Sequence, residues 1–294
     1  VQFYRDQGYL VVENVLSTTE LEALRADVDR LVSEASSVSE NNHIYDLEDS
    51  HTPTNPRVRR IKEPHKVMPS AEALMRQPAL VSILVKLIGP GVRFQTSKLN
   101  MKAAGIGAAV EWHQDWAFYP HSNDDMLAFG LMLEDVDEAN GPLQVIPGSH
   151  KGPVLAHTNA DGVFCGAVDP SDPEFHHDKA VTLTGKAGAM TVHHVRTLHG
   201  SAPNVSDRNR LICFFECRAA DAWPLLGSGS YMKLANVSQQ AIWDHMQSCV
   251  ITGKLSPTPR CEAVPARLPL PPAPDAGSIF KTQKTGGAKS AFAA

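Results

Sequence analysis

Apolar positions change period along the chain, and the change divides it. Gly8 to Val12 reads as a short strand, and Ser17-Thr18-Thr19-Glu20 is a capping box that opens a helix. Leu21, Leu24, Val28, Leu31 and Val32 then form one apolar stripe at helical spacing, expected to pack on something larger. A second helix is predicted from Pro69-Ser70. A third starts with Pro78 in its first turn and runs through Leu80, Leu84 and Leu87 to the stop at Gly89-Pro90. Beyond Gly91 the pattern turns to short apolar and β-branched runs: Val92 to Asn100, Leu127 to Val136, Leu143 to Ile146, Ala189 to Val195 and Arg210 to Cys217. Turn signals such as Asn140-Gly141-Pro142 and Pro147-Gly148-Ser149 separate them. Helices first and strands afterwards predict a mainly β fold with flanking helices, a sandwich or jelly roll buttressed by N-terminal α-helices.

Two stretches lack periodicity. Residues 40–69 are rich in His, Asn, Pro and charge, and are expected to form a long loop acting as an active-site lid. After a helix predicted over Ser238 to Val250, residues 257–294 turn to Pro, Lys, Gly and Ala. This leaves a catalytic domain over 1–256 and a weakly ordered tail over 257–294.

Composition narrows the partners. With 27 Lys plus Arg against 32 Asp plus Glu the net charge is −5, and there is no dominant basic block, so neither nucleic acid nor an anionic membrane surface is an expected partner. No run of 18 apolar residues occurs, and the opening VQFYRDQGYLVVENV lacks the basic-then-apolar layout of a signal peptide. Five cysteines without a C-x-x-C are read as packing residues of a reduced, cytoplasmic protein. Oligomeric state is left open.

The chemistry concentrates in Glu111-Trp112-His113-Gln114-Asp115. On a strand, His113 and Asp115 share a face about 7 Å apart, close enough to converge on one cation. His-x-Asp alone is a weak signal; His199-Gly200-Ser201 and Arg210, 11 residues beyond His199, strengthen it. Two histidines and a carboxylate on one face of an octahedral ion leave three positions for a bidentate co-substrate and O2, the arrangement of non-haem Fe(II) oxygenases. An arginine on the next strand can fork onto the far carboxylate of that co-substrate. Eleven residues beyond His193 and His194 stand Asn204 and Val205, which anchor no carboxylate. His199 is therefore preferred as ligand, and His193 and His194 are read as strand packing with a satisfied ring nitrogen.

His113-x-Asp115, the segment Asn140-Gly141-Pro142-Leu143 to Ile146-Pro147-Gly148-Ser149-His150, His199-Gly200-Ser201 and Arg210 together resemble the phytanoyl-CoA dioxygenase family of Fe(II)/2-oxoglutarate oxygenases. The resemblance extends from Phe3 to Leu225 and spares the tail. It implies a cupin-like double-stranded β-helix with iron on His113, Asp115 and His199. It also implies 2-oxoglutarate held at its C5 carboxylate by Arg210 with Ser201 assisting, and hydroxylation of a small molecule with release of succinate and CO2.

Around this set, Trp116 and Phe118 are expected to wall the substrate pocket, and Lys98 or Lys102 to reach co-substrate or substrate. The lid cluster of Arg57, Arg59, Arg60, Lys62, His65 and Lys66 would draw in an anionic substrate, with Arg59 and Arg60 as its contacts. Two other classes are weighed: a redox-neutral metal hydrolase, lyase or isomerase on the same barrel, and a non-catalytic binding module. The complete set with Arg210 disfavours both.

Overall fold

The computed structural model of the chain describes residues 1–225, 238–268, 270–273 and 278–292. The capping box forms as read: Ser17 Oγ accepts from the Glu20 amide, and the Glu20 carboxylate accepts from the Ser17 amide at 2.8 Å. It starts α2 (Thr18–Glu34), after α1 (Gln2–Gln7) and β1 (Tyr9–Val12). The short α3 (Pro64–Val67) and α4 (Pro69–Leu74) lead to α5 (Pro78–Ile88), which ends at Gly89 with φ 98°, a conformation that favours glycine.

The larger sheet also contains β2 (Tyr45–Leu47), β3 (Val58–Lys62), β4 (Val92–Lys102), β6 (Met126–Met132), β9 (Met190–His194) and β11 (Arg210–Ala219). Its order is β1-β9-β6-β11-β4-β3-β2, with β12 (Val250–Thr252) also pairing β4. The smaller sheet has the order β5-β10-β7-β8, from β5 (Val110–His113), β7 (Leu143–Val145), β8 (Val181–Leu183) and β10 (His199–Ser201). The named strand pairs are antiparallel in both. The two sheets face one another as a jelly roll without closing into a barrel.

Alternation along the strands separates packing from chemistry. On β11, Leu211, Cys213, Phe215 and Cys217 join the core beneath the helices, with Leu24, Val28 and Leu31 of α2 and Leu80 and Leu84 of α5. Arg210, Ile212, Phe214 and Glu216 take the other face, toward the space between the sheets. Leu24 is fully buried, so Leu24→Ala costs about 2 to 5 kcal/mol. The expected mainly β fold with buttressing helices is thus the observed one.

Two expectations need correction. Residues 40–69 are not a free loop, because β2 and β3 extend the larger sheet from the β4 edge, with Arg60 opposite Asn100 and Ile61 opposite Leu99. Such short strands owe their stability to ladder bonds and to the buried Val58 and Ile61, which periodicity over a long window does not reveal. Nor is the tail weakly ordered throughout its described part. After α6 (Gln239–Ser248), α7 (Ile279–Thr285) buries Phe280, Thr282 and Gln283. The rest of the tail expectation, 269, 274–277 and 293–294, lies outside the described residues. Among the described residues no helix is long and apolar enough to cross a membrane.

Candidate active site

His113 ends β5, and Asp115 belongs to the single 3-10 turn Asp115–Ala117 that follows it. The turn, rather than strand alternation, brings the Asp115 carboxylate back beside His113. Strand pairing sets His199 of β10 directly opposite His113 of β5. Ligand atoms of His113, Asp115 and His199 all lie within 4.8 Å of one another, and all three residues are buried.

Backbone carbonyls orient both rings. Nδ1–H of His113 donates to the Glu111 carbonyl at 2.8 Å, and that of His199 to the Thr197 carbonyl at 2.9 Å. Each Nε2 lone pair is thereby left for the site. Burial pushes the His113 imidazole down to about 4 and that of His199 well below its ordinary value, so both are neutral donors near pH 7. Burial opposes the Asp115 charge, but Lys98 and the histidines outweigh it and hold the carboxyl well below its usual range. Two neutral imidazoles and one carboxylate at this spacing fit an iron ion.

Arg210 starts β11 at the inner end of the same cavity, which Ser201, Val110, Leu143 and Ile212 also line. Its Nη2 donates to the Gly141 carbonyl at 2.8 Å, while its buried Nε has no partner. An orphaned guanidinium N–H beside the metal residues fits the far carboxylate of 2-oxoglutarate. Lys102 stays out of this chemistry: its Nζ donates to the Ser201 and Ala202 carbonyls.

A second chamber opens beyond the metal residues, between Asp115, Phe118 and Tyr119 on one side and Arg60, Lys98 and Glu216 on the other. Phe118 approaches His113 edge-on at 6.0 Å between ring centres. Lys98 is no solvated lysine, since its Nζ pairs with Glu216 at 3.0 Å. Burial works against its charge, yet Glu216 and Asp115 prevail and raise its pKa. Arg60 enters the chamber because β3 alternates; its Nε donates to Asn100 Oδ1 at 3.0 Å and its buried Nη2 has no partner. Arg59 is instead taken up by Glu48, to which its Nε and Nη2 donate at 2.9 and 2.6 Å. Trp116 also lies apart. The 3-10 turn breaks the assumed alternation and buries its ring against another cleft, where its indole N–H donates to the Pro265 carbonyl at 2.7 Å.

His193 departs from the expected packing role. It is buried against the metal residues, its Nε2 stands 3.5 Å from Asp115 Oδ2, and neither ring nitrogen has a hydrogen-bond partner. His194 does pack as read, its Nδ1 accepting from the Arg196 amide. Glu216 and Asn100 were also not singled out; even spacing from Arg210 along one strand would have found Glu216. Burial, then the Asp115 and Glu216 carboxylates, push the Tyr119 hydroxyl well above its usual pKa, so it remains a neutral donor.

Known proteins with similar sequences share this chemistry. The chain is 37% identical over 284 residues to a probable alpha-ketoglutarate-dependent hypophosphite dioxygenase of Stutzerimonas stutzeri, covering 96% of this chain and 95% of that one. It is 31% identical to the ectoine dioxygenase of Bordetella parapertussis over 70% of both chains. Among solved structures, EctD from S. alaskensis with 2-oxoglutarate and 5-hydroxyectoine matches with a TM-score of 0.61 at 26% identity, over 74% of each chain. A family model described as phytanoyl-CoA dioxygenase matches residues 4–212. That span contains His113, Asp115, His199 and Arg210, so the chain belongs to the phytanoyl-CoA dioxygenase family and is an Fe(II)- and 2-oxoglutarate-dependent dioxygenase.

Proposed function

We propose that this dioxygenase oxidises a small monoanion of the hypophosphite class, inserting one oxygen atom of O2 into a P–H bond while the other enters succinate as 2-oxoglutarate loses CO2. The observation that carries the reading is the charge of the outer chamber. Of the other charges lining the chamber, Asp115 belongs to the candidate metal set, Glu63 pairs with Lys66 and Lys62 with Asp46, both at 2.7 Å, which leaves Arg60 and Lys98 facing the Glu216 carboxylate. Two cations against one carboxylate leave one positive charge, which suits a monoanion better than a zwitterion. The full-length similarity to a hypophosphite enzyme supports it; the ectoine enzyme matches only 70% of the chain.

In this reading His113, Asp115 and His199 hold Fe(II), which when bound supplies the activation of O2 coupled to 2-oxoglutarate decarboxylation. Arg210, with Ser201 beside it, anchors the C5 carboxylate. Arg60 Nη2, Lys98 and the Tyr119 hydroxyl donate to the substrate oxygens, and Phe118 keeps water from the metal residues. Cysteines without a disulfide among the described residues suit a reducing cytoplasm.

The test is to incubate the enzyme with Fe(II), 2-oxoglutarate and hypophosphite in air, following succinate by mass spectrometry and phosphite by phosphorus NMR. One phosphite per succinate is expected. Succinate formation that hypophosphite fails to stimulate would overturn the substrate class.

A further inference from the structure

We infer that the C-terminal segment over residues 278–292 completes the substrate site, with Ile279 as its size-limiting wall and Phe280 as the residue that positions Arg60. The inference rests on the small-anion reading above. Ile279 lines both the cavity that holds His199, Ser201 and Arg210 and the outer chamber that holds Asp115, Lys98 and Phe118. A branched side chain at that junction takes space that a larger substrate would need. Next to it, Phe280 is nearly buried, and the Arg60 guanidinium lies over its ring at 5.0 Å. With Nε tied to Asn100 and one face on the ring, Arg60 keeps Nη2 for a ligand.

The segment is held to the metal-bearing strand itself. Gln283 accepts from the Glu111 amide at 3.0 Å and donates to the Glu111 carbonyl at 3.2 Å. That carbonyl also accepts the Nδ1–H that orients His113. Farther on, the Ala291 amide and the Ser290 hydroxyl donate to the Glu111 carboxylate at 2.9 and 2.7 Å, and Phe292 stacks on Trp112. Gly286 comes so close to Cys165 that a Cβ would meet its Cα at 2.6 Å, so a side chain there would lift the segment. Docking therefore joins the end of the chain to β5, and β5 to the chamber where Arg60 waits.

The experiment compares wild type with Phe280→Ala, Phe280→Tyr and Ile279→Ala by two readouts. The first is the rate of phenylglyoxal modification at Arg60, mapped by peptide mass spectrometry, which needs neither metal nor substrate. Phe280→Ala should raise it by roughly an order of magnitude and Phe280→Tyr, which keeps the ring, should not. The second is anaerobic calorimetry of hypophosphite, and of bulkier phenylphosphinate, on protein holding Mn(II) and 2-oxoglutarate. Phe280→Ala should weaken hypophosphite roughly three- to thirty-fold with 2-oxoglutarate affinity unchanged, and Ile279→Ala should admit phenylphosphinate, which wild type refuses. Equal Arg60 reactivity in wild type and Phe280→Ala, or phenylphosphinate binding alike to wild type and Ile279→Ala, would overturn the inference. Wild type that binds no hypophosphite while Arg60 reactivity responds as described would overturn the substrate reading and leave the role of Phe280 standing.

Discussion

Nε2 of His193 stands 3.5 Å from Oδ2 of Asp115, whereas Oδ1 of the same carboxylate lies 3.7 Å from Nε2 of His113 and 3.9 Å from Nε2 of His199. The carboxylate has a ligand side and a histidine side. A His193 ring that carries a proton on Nε2 can donate to Oδ2 and hold the plane of the carboxylate. Removing such a support typically costs 10- to 100-fold in metal affinity. We expect His193→Phe to keep the fold and weaken Mn(II) binding by about that factor, measured by titration under electron paramagnetic resonance. Unchanged affinity would make His193 a bystander.

Arg210 offers a buried, unpartnered Nε beside the cavity. Losing a charge-assisted pair in such a site costs on the order of 2 to 5 kcal/mol. Arg210→Ala should therefore raise the dissociation constant of 2-oxoglutarate by tens to thousands of fold, with Mn(II) affinity close to wild type. A dissociation constant within threefold of wild type would refute the anchor.

Arg59 and Arg60 both lie over the Phe280 ring, at 5.5 and 5.0 Å, but their polar groups part, Arg59 committed to Glu48 and Arg60 facing the chamber. The Arg60→Ala variant should raise KM for the anionic substrate at least tenfold and make it less sensitive to salt. Arg59→Ala should act on stability instead, by about 1 to 3 kcal/mol, because it strands the nearly buried Glu48 carboxylate. Identical kinetic effects of the two changes would mean that alternation along β3 does not govern substrate binding.

Acid should unfold the metal-free protein early. Burial holds His157 down to about 4 and His121 and His194 to about 3, against an ordinary value near 6.5. Above pH 6.5 these rings are neutral in both states and their contribution is complete. As pH falls from 6.5 toward 4 the unfolded chain takes up protons that the folded chain refuses, so stability drops by roughly 1.4 kcal/mol per pH unit per histidine. Urea melts from pH 7.5 to 4.5 should show this decline. A flat midpoint between pH 7 and 5 would contradict it.

By itself the sequence singled out the candidate metal set and its likeness to a family, because these depend on short-range relations. His113 and Asp115 are two residues apart, His199 and Arg210 are one turn and one strand apart, and the alternation of β11 follows from its own apolar residues. Helix starts were equally legible, since Ser17 and Glu20 satisfy backbone groups within one turn. Tertiary structure alone decided what surrounds the candidate metal residues. Arg60 enters the chamber only because β3 pairs with β4, and Phe280 reaches Arg60 only because Gln283 docks on Glu111. His193, on β9 of the larger sheet, meets Asp115 in the turn that follows β5 of the smaller one. These contacts join residues tens to hundreds of positions apart, and no local period encodes them. Their energy comes from ladder bonds, desolvated charge and ring faces that exist only once the two sheets have packed together.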